Sequence, residues 1–181
     1  MSEIDILNQG GALLYPTDTI WGLGCDATNP IAIDKIIKIK GRQSEKSFIV
    51  LARDIDMLRQ YVEEIPQAAE DLLHSIKEPL TIIYQHARNL PVSKLSHNNS
   101  IGIRIPQHAY CQKLLQAFGK PIVSTSANIS GMPSPKSYSD IDQKIKDEVD
   151  FIADEEREKI SASQGSQIYI ITADNSIKRL R

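Results

Sequence analysis

The chain lacks most of the signatures by which enzymes are read from sequence. No Walker A loop, no G-x-S-x-G elbow, no H-E-x-x-H pair and no C-x-x-C pair occurs in its 181 residues, so triad-hydrolase, zincin and P-loop readings have no support. Only two cysteines are present, Cys25 and Cys111. They allow at most one bridge, and neither has a second cysteine nearby for a metal site, so reduced thiols and no resident metal are expected. Four histidines, His74, His86, His97 and His108, stand apart and read as packing or surface residues. No apolar run approaches the ~20 residues of a membrane helix. The opening Met1-Ser2-Glu3-Ile4-Asp5 carries acid where a secretory leader carries base. A cytoplasmic protein without a membrane segment is expected. The charge balance, 21 Lys+Arg against 23 Asp+Glu for a net −2, leaves no broad positive field for nucleic acid, although a local basic patch stays open.

What is present is an ordinary globular composition, 41% hydrophobic and 24% charged, of a length that suits one domain over residues 1–181. Short apolar runs at 12–15, 48–52, 80–84, 101–105, 122–124, 151–153 and 167–172 read as strands, bounded by Gly and Pro breakers. Between them, Asn29-Pro30 reads as a cap and first helical residue, with Ile33, Ile36 and Ile37 at helical spacing and Gly41 as the stop. Further helices are expected around 54–61, 66–74, 109–118 and 139–149, and a long polar loop over 86–99. Strands interleaved with helices throughout imply one α/β domain.

Four clusters carry chemistry. Lys40-Gly41-Arg42 sits in a stretch with five cations (Lys35, Lys38, Lys40, Arg42, Lys46) and one acid, Glu45. Helix-dipole complementation explains one or two such cations, and anion binding explains a Gly-spaced pair running into a polar turn equally well. The run 124–131, Ser-Thr-Ser-Ala-Asn-Ile-Ser-Gly, follows an apolar strand. It offers hydroxyls and a carboxamide where α/β sheets gather ligands, though a self-bonded Ser/Asn turn reads the same way. Pro16-Thr17-Asp18-Thr19 leads into Gly22-Leu23-Gly24, where glycines permit close backbone approach. Arg104 shares a strand face with Gly102 and opposes Ile101, Ile103 and Ile105. Its fork suits a carboxylate, while solvent exposure is the commoner reason for such a residue.

In this order the segments resemble the YrdC-like family of threonylcarbamoyl-AMP synthases. Tyr15 to Thr19 with Gly22 to Gly24 is similar to the P-T-[ED]-T…G-[LV]-G opening, Lys40-Gly41-Arg42 to K-x-R, and Ser126-Ala127-Asn128 to S-x-N. Residues 100–106 are similar to the V-R-x-P strand and Met132-Pro133-Ser134-Pro135 to P-S-P. The chain departs from the pattern at Gln43, at Ser47-Phe48, at Lys77-Glu78-Pro79-Leu80-Thr81 and at Gly165-Ser166-Gln167-Ile168. Leu180-Arg181 matches the family's L-R step, so the resemblance is to the short, single-domain type.

The resemblance implies a twisted mixed sheet flanked by helices, with a concave basic ligand cleft. It implies condensation of L-threonine, bicarbonate or CO2 and ATP into L-threonylcarbamoyladenylate with release of pyrophosphate, Mg2+ arriving with ATP. The product would pass to a tRNA threonylcarbamoyl transferase for the threonylcarbamoyladenosine modification. Lys40 and Arg42 would be catalytic and, with Ser100, Ser126, Asn128, Ser134 and Arg181, nucleotide-binding. Thr17, Arg104, Ser124 and Ser166 would bind threonine. The alternatives are a YrdC-like paralogue with another carbamoyl or acyl substrate, and an RNA-binding module; weak binding of double-stranded RNA is a further expectation.

Overall fold

A computed structural model describes every residue except 42–46, 97, 161–164, 173 and 175. The described residues form one nine-stranded mixed sheet in the order β7-β1-β2-β6-β3-β5-β4-β8-β9. In chain order the strands are β1 (Leu13–Tyr15), β2 (Gly22–Asp26), β3 (Ile49–Leu51), β4 (Leu80–Tyr84), β5 (Ile101–Arg104), β6 (Ile122–Ser126), β7 (Phe151–Ile152), β8 (Gln167–Ile171) and β9 (Ile177–Arg179). The helices are α1 (Glu3–Asn8), α2 (Pro30–Lys40), α3 (Ile55–Leu58), α4 (Gln67–Ser75), α5 (Val92–Leu95), α6 (Ala109–Phe118) and α7 (Gln143–Glu148). The expected α/β class holds. No helix among the described residues is long and apolar enough to cross a membrane.

Several expected boundaries shift. The Gly-containing segment Gly22 to Gly24, not among the expected strands, lies in the strand β2, enclosed between β1 and β6. The basic tail carries the edge strand β9, antiparallel to β8. The expected helix over 139–149 divides into a short 3-10 turn, Tyr138–Asp140, and α7. The loop at 86–99 contains α5, and an isolated bridge joins Ala87 to Val62. The N-terminal α1, which sequence reading did not find, carries a capping box between Ser2 and Asp5.

Alternation along the strands divides the core. Leu14, Leu23, Val50, Ile82, Ile103 and Val123 face one side and pack with Ile33, Ile36 and Ile39 of α2. Leu13, Tyr15, Leu51 and Ile122 face the other side and pack with Ile6 and Leu7 of α1 and Leu114, Leu115 and Phe118 of α6. Further along this second face the side chains shrink or turn polar. Strand pairing sets Gly22 beside Ser126, Ser124 beside Gly24 and Ile49, Ile49 beside Gly102, and Arg104 beside Thr81. Paired residues share a face, so this stretch is a low polar floor where α6 no longer covers the sheet. Gly24 is fixed by close approach, since a Cβ there would overlap the Val123 carbonyl and crowd the Tyr15 ring.

α2 is defined at both ends. Asn29 Oδ1 accepts from the Ile31 and Ala32 N–H groups at 3.0 and 3.3 Å, and Gly41 caps the C-terminus in the left-handed conformation at φ 56°. Asp150, just ahead of β7, ties the helix to the sheet edge. It accepts from the buried Ala12 N–H at 2.6 Å and from Lys35 Nζ at 2.6 and 2.5 Å. Partial burial pushes the Asp150 carboxyl up, but these bonds outweigh it and hold the group below the usual range.

Asp150→Ala should lower the unfolding free energy by about 1–2 kcal/mol, because it leaves the buried Ala12 N–H without an acceptor. With its folded pKa lowered, Asp150 stabilises fully above the unfolded carboxylate value of about 3.9 and loses that contribution as pH falls through the folded value. Urea unfolding of both proteins should show a gap that is constant near neutrality and narrows below about pH 4.

Candidate active site

The polar floor is the base of a cleft of about 410 Å3, a volume suited to a small-molecule ligand. Thr17, Lys40, Arg104, Ser124, Ser126, Asn128, Ser134, Ser166 and Arg181 all line it. Residues more than 160 positions apart in sequence are thus brought together in one cleft. Ser100 is not among them: its hydroxyl donates to Asn98 Oδ1 at 2.7 Å at the entrance to β5. Arg42 lies outside the described residues.

Lys40, the last residue of α2, is 3% exposed. Its ammonium donates to the carbonyls of Ser126 at 2.5 Å and Asn128 at 2.7 Å, and its own carbonyl accepts from the Ser130 N–H at 2.9 Å. The turn after β6 is therefore fastened to the end of α2. Within that turn, Asn128 Nδ2 donates to the carbonyls of Ile129 and Met132 at 3.1 and 2.6 Å. The self-bonded Ser/Asn turn and the ligand-facing turn are the same object. Asn128 Oδ1 is buried without a hydrogen-bond partner and is an acceptor for a ligand donor.

At the other end Thr17 builds a tight loop. Its hydroxyl accepts from the Thr19 N–H at 3.1 Å, donates to the Ile20 carbonyl at 2.7 Å and lies 3.0 Å from the Thr19 hydroxyl. Arg104 is 5% exposed, so the exposed-strand explanation does not apply. Its Nη1 donates to Thr19 Oγ1 at 3.2 Å, and its Nε is buried with no protein acceptor. Ser166 and Thr81 share a buried hydroxyl contact at 2.7 Å. Arg181 donates from Nε and Nη2 to the Ser166 carbonyl at 3.1 and 2.9 Å and leans over Gly165.

Thr19, Gly22, Thr125 and Ser130, from segments the sequence singled out without giving these residues a role, also line the cleft, as do Ile49 and Met132, which sequence reading missed as lining. Gly22 carried a signal, as glycine inside a strand often marks close approach. A Cβ there would lie 3.1 Å from Thr17 Cγ2 and 3.3 Å from both Ser124 Oγ and Tyr15 Cζ.

Lys40, Arg104 and Arg181 bring three cations to a lining whose described residues include no Asp or Glu, which suits an anionic ligand. No group of three or more His, Cys, Asp or Glu suited to a metal occurs among the described residues. Both thiols are buried. Loss of hydration pushes Cys111 up to about 12 and Cys25 higher still, so neither is a ready nucleophile.

The family profile named for Sua5, YciO and YrdC, with the description "Telomere recombination", matches residues 5–181. The chain belongs to this family. It is 34% identical over 157 residues to the threonylcarbamoyl-AMP synthase of Pseudoalteromonas translucida, covering 85% of this chain and 84% of that protein. It superposes on P. abyssi Sua5 complexed with L-threonine with a TM-score of 0.89 at 26% identity, covering 98% of this chain and 52% of that one. The chain thus spans about half of the P. abyssi protein. E. coli YciO superposes with a TM-score of 0.83 at 25% identity, covering 98% of this chain and 85% of that one.

Lys40→Met should free the turn after β6 while leaving the sheet intact. Hydrogen exchange of the Ser126–Met132 amides should quicken, and unfolding stability should fall by about 1–3 kcal/mol, the cost of orphaning buried acceptors. Unchanged protection of that turn would contradict the brace.

Proposed function

We propose that this chain is an ATP-dependent L-threonylcarbamoyladenylate synthase, a nucleotidyltransferase serving the tRNA threonylcarbamoyladenosine modification in the cytoplasm. The observation that carries the reading is the convergence in one cleft of the Lys40-braced turn of Ser126 and Asn128 with the buried, partly unpartnered guanidinium of Arg104. The first suits a nucleotide, the second an amino-acid carboxylate. The likenesses to a curated threonylcarbamoyl-AMP synthase and to a Sua5 complexed with L-threonine support it.

Threonine's amine adds to CO2 drawn from bicarbonate, releases a proton and becomes a carbamate. A carbamate oxygen then attacks the α-phosphorus of ATP, and the bond to pyrophosphate breaks. Two anions must meet, so the protein's task is to fix positive charge and hold the reactants in line. Lys40 and Arg42 supply charge to phosphate and carbamate, and Ser126, Asn128, Ser134 and Arg181 hold the nucleotide. Arg104 takes the threonine carboxylate, with Thr17, Ser124 and Ser166 around the rest of the amino acid. Mg2+ bound to ATP would offset the phosphate charge, and it would be held by the phosphates, since the described lining has no Asp or Glu. The product is consumed by a transferase that moves the threonylcarbamoyl group to tRNA. A cleft of about 410 Å3 fits these reactants better than an RNA duplex.

A second reading, a paralogue with another acceptor, is favoured by the likeness to YciO and by the departures at Gln43, Ser47 and Gln167. Pyrophosphate release from ATP and bicarbonate across threonine, serine and valine separates the two. Threonine dependence supports the synthase, and indifference to all three amino acids supports the paralogue.

Lys40→Ala and Arg42→Ala should each reduce threonine-dependent pyrophosphate release by at least about 100-fold, the scale of losing one charge-stabilising group. Arg104→Ala should raise the KM for threonine at least about tenfold and leave that for ATP within about twofold. Gly22→Ala should push Thr17 and Ser124 into the cleft and move the serine-to-threonine ratio of kcat/KM toward serine, by about tenfold for one methyl's space. An unmoved ratio would place the substrate methyl elsewhere.

A further inference from the structure

Arg104 is backed by the acidic position of the Pro16-Thr17-Asp18-Thr19 segment, a residue given no role above and absent from the cleft lining. Its Nη2 lies 3.4 Å from Asp18 Oδ1, with the two side chains only 5% and 11% exposed. Asp18 is absent from the cleft lining. It lines a separate cavity of about 800 Å3 beyond the wall, together with Arg53, Ile105 and Gln107. We propose that Asp18 is the positioning residue for Arg104, setting the guanidinium from behind so that its Nε edge faces a substrate carboxylate. This inference rests on the reading of Arg104 as the carboxylate partner given above.

The local chain makes the arrangement specific. Thr17 and Thr19 both line the cleft, and the hydroxyl of Thr17 locks the turn between them. The side chain of Asp18 is therefore carried to the opposite side of the wall. Once there, its carboxylate has no hydrogen-bond donor among the described residues, and Oδ1 is buried without one. Its charge is committed to Arg104 through space.

From the arginine's side, Nη1 is engaged by Thr19 and Nη2 faces Asp18, while Nε has no protein acceptor. A carboxylate bridging Nε and the neighbouring N–H completes the fork side-on. A buried guanidinium with one hydrogen bond and no counter-charge is costly and will turn toward water. The cleft offers it such a route, while its neighbours Asp18 and Ile105 line the second cavity, so a fixed orientation needs an anchor. Coulomb repulsion alone would make Asp18 weaken the binding of a second carboxylate. The anchoring role and this opposing effect therefore predict opposite signs.

The test uses the full chain and pyrophosphate release, with the KM for L-threonine and for ATP and the Ki of L-threoninol, in which a hydroxymethyl group replaces the carboxylate. Asp18→Ala should raise the threonine KM about tenfold or more and leave the ATP KM and the threoninol Ki within about twofold. Asp18→Asn, which keeps an oxygen acceptor at the same place, should recover part of the loss and carries the test if the alanine variant does not fold. In an Arg104→Ala background, Asp18→Ala should add no further effect on the threonine KM. An unchanged or lower threonine KM, an equal rise for threoninol, or additive effects in the double variant would overturn the proposal. If the unaltered protein releases no pyrophosphate with threonine, the synthase reading fails and takes this inference with it. If it turns threonine over and the Asp18 variants do so equally well, only this inference fails.

Discussion

The cleft depends on one ammonium group. Lys40 ends α2, and its Nζ holds the carbonyls of Ser126 and Asn128, so the helix and the turn after β6 cannot move independently. Gly41 in the left-handed conformation lets the chain leave the helix at once, which keeps Lys40 at the wall. The bonds that fasten the turn also fix the position of the charge. Protein carbonyls solvate the ammonium in a nearly dry site, and no solvent has to reorganise around it when an anion arrives. Structure and electrostatics are therefore coupled at this residue: a substitution that removes the charge also releases the turn.

The second constraint is side-chain size on one face of the sheet. Where α1 and α6 cover that face it presents Leu13, Tyr15, Leu51 and Ile122. Beyond the reach of α6 the same face presents Gly22, Ser124, Ser126, Gly102 and Thr81, with Arg104 among them. The concavity therefore comes from a change of residue volume along continuous strands and needs no separate domain. The opposite face remains apolar and packed against α2, which keeps the floor rigid.

Much of the fold was legible because its periodicities were clean. α2, α6 and the strands β4, β5 and β6 stand close to where apolar spacing and Gly/Pro breaks put them. β2 was missed because two of its five residues are glycines, and its strand character comes from enclosure between β1 and β6. β9 was missed because an edge strand exposing Lys178 and Arg179 reads as a solvated tail. At the site, single clusters were ambiguous, and only their order along the chain carried the resemblance. The convergence of Lys40 with Ser126 and Asn128 spans 86 and 88 positions, a separation that no local pattern encodes. Arg104 was read as a fork for a carboxylate, but its partner Asp18 was hidden. An acid in a Thr-Asp-Thr turn looks solvated until the sheet brings an arginine behind it.

The strand order also bears on biosynthesis. β1 and β4 are both flanked by strands made much later, β7 at 151–152 and β8 at 167–171, and the wall around Ser166 is completed by Arg181. A chain still emerging from the ribosome can pair its central strands, but it cannot assemble the pocket before β7, β8 and Arg181 have been made. Such a partly finished sheet exposes unpaired edges, the state in which nascent α/β chains are most prone to stick to one another.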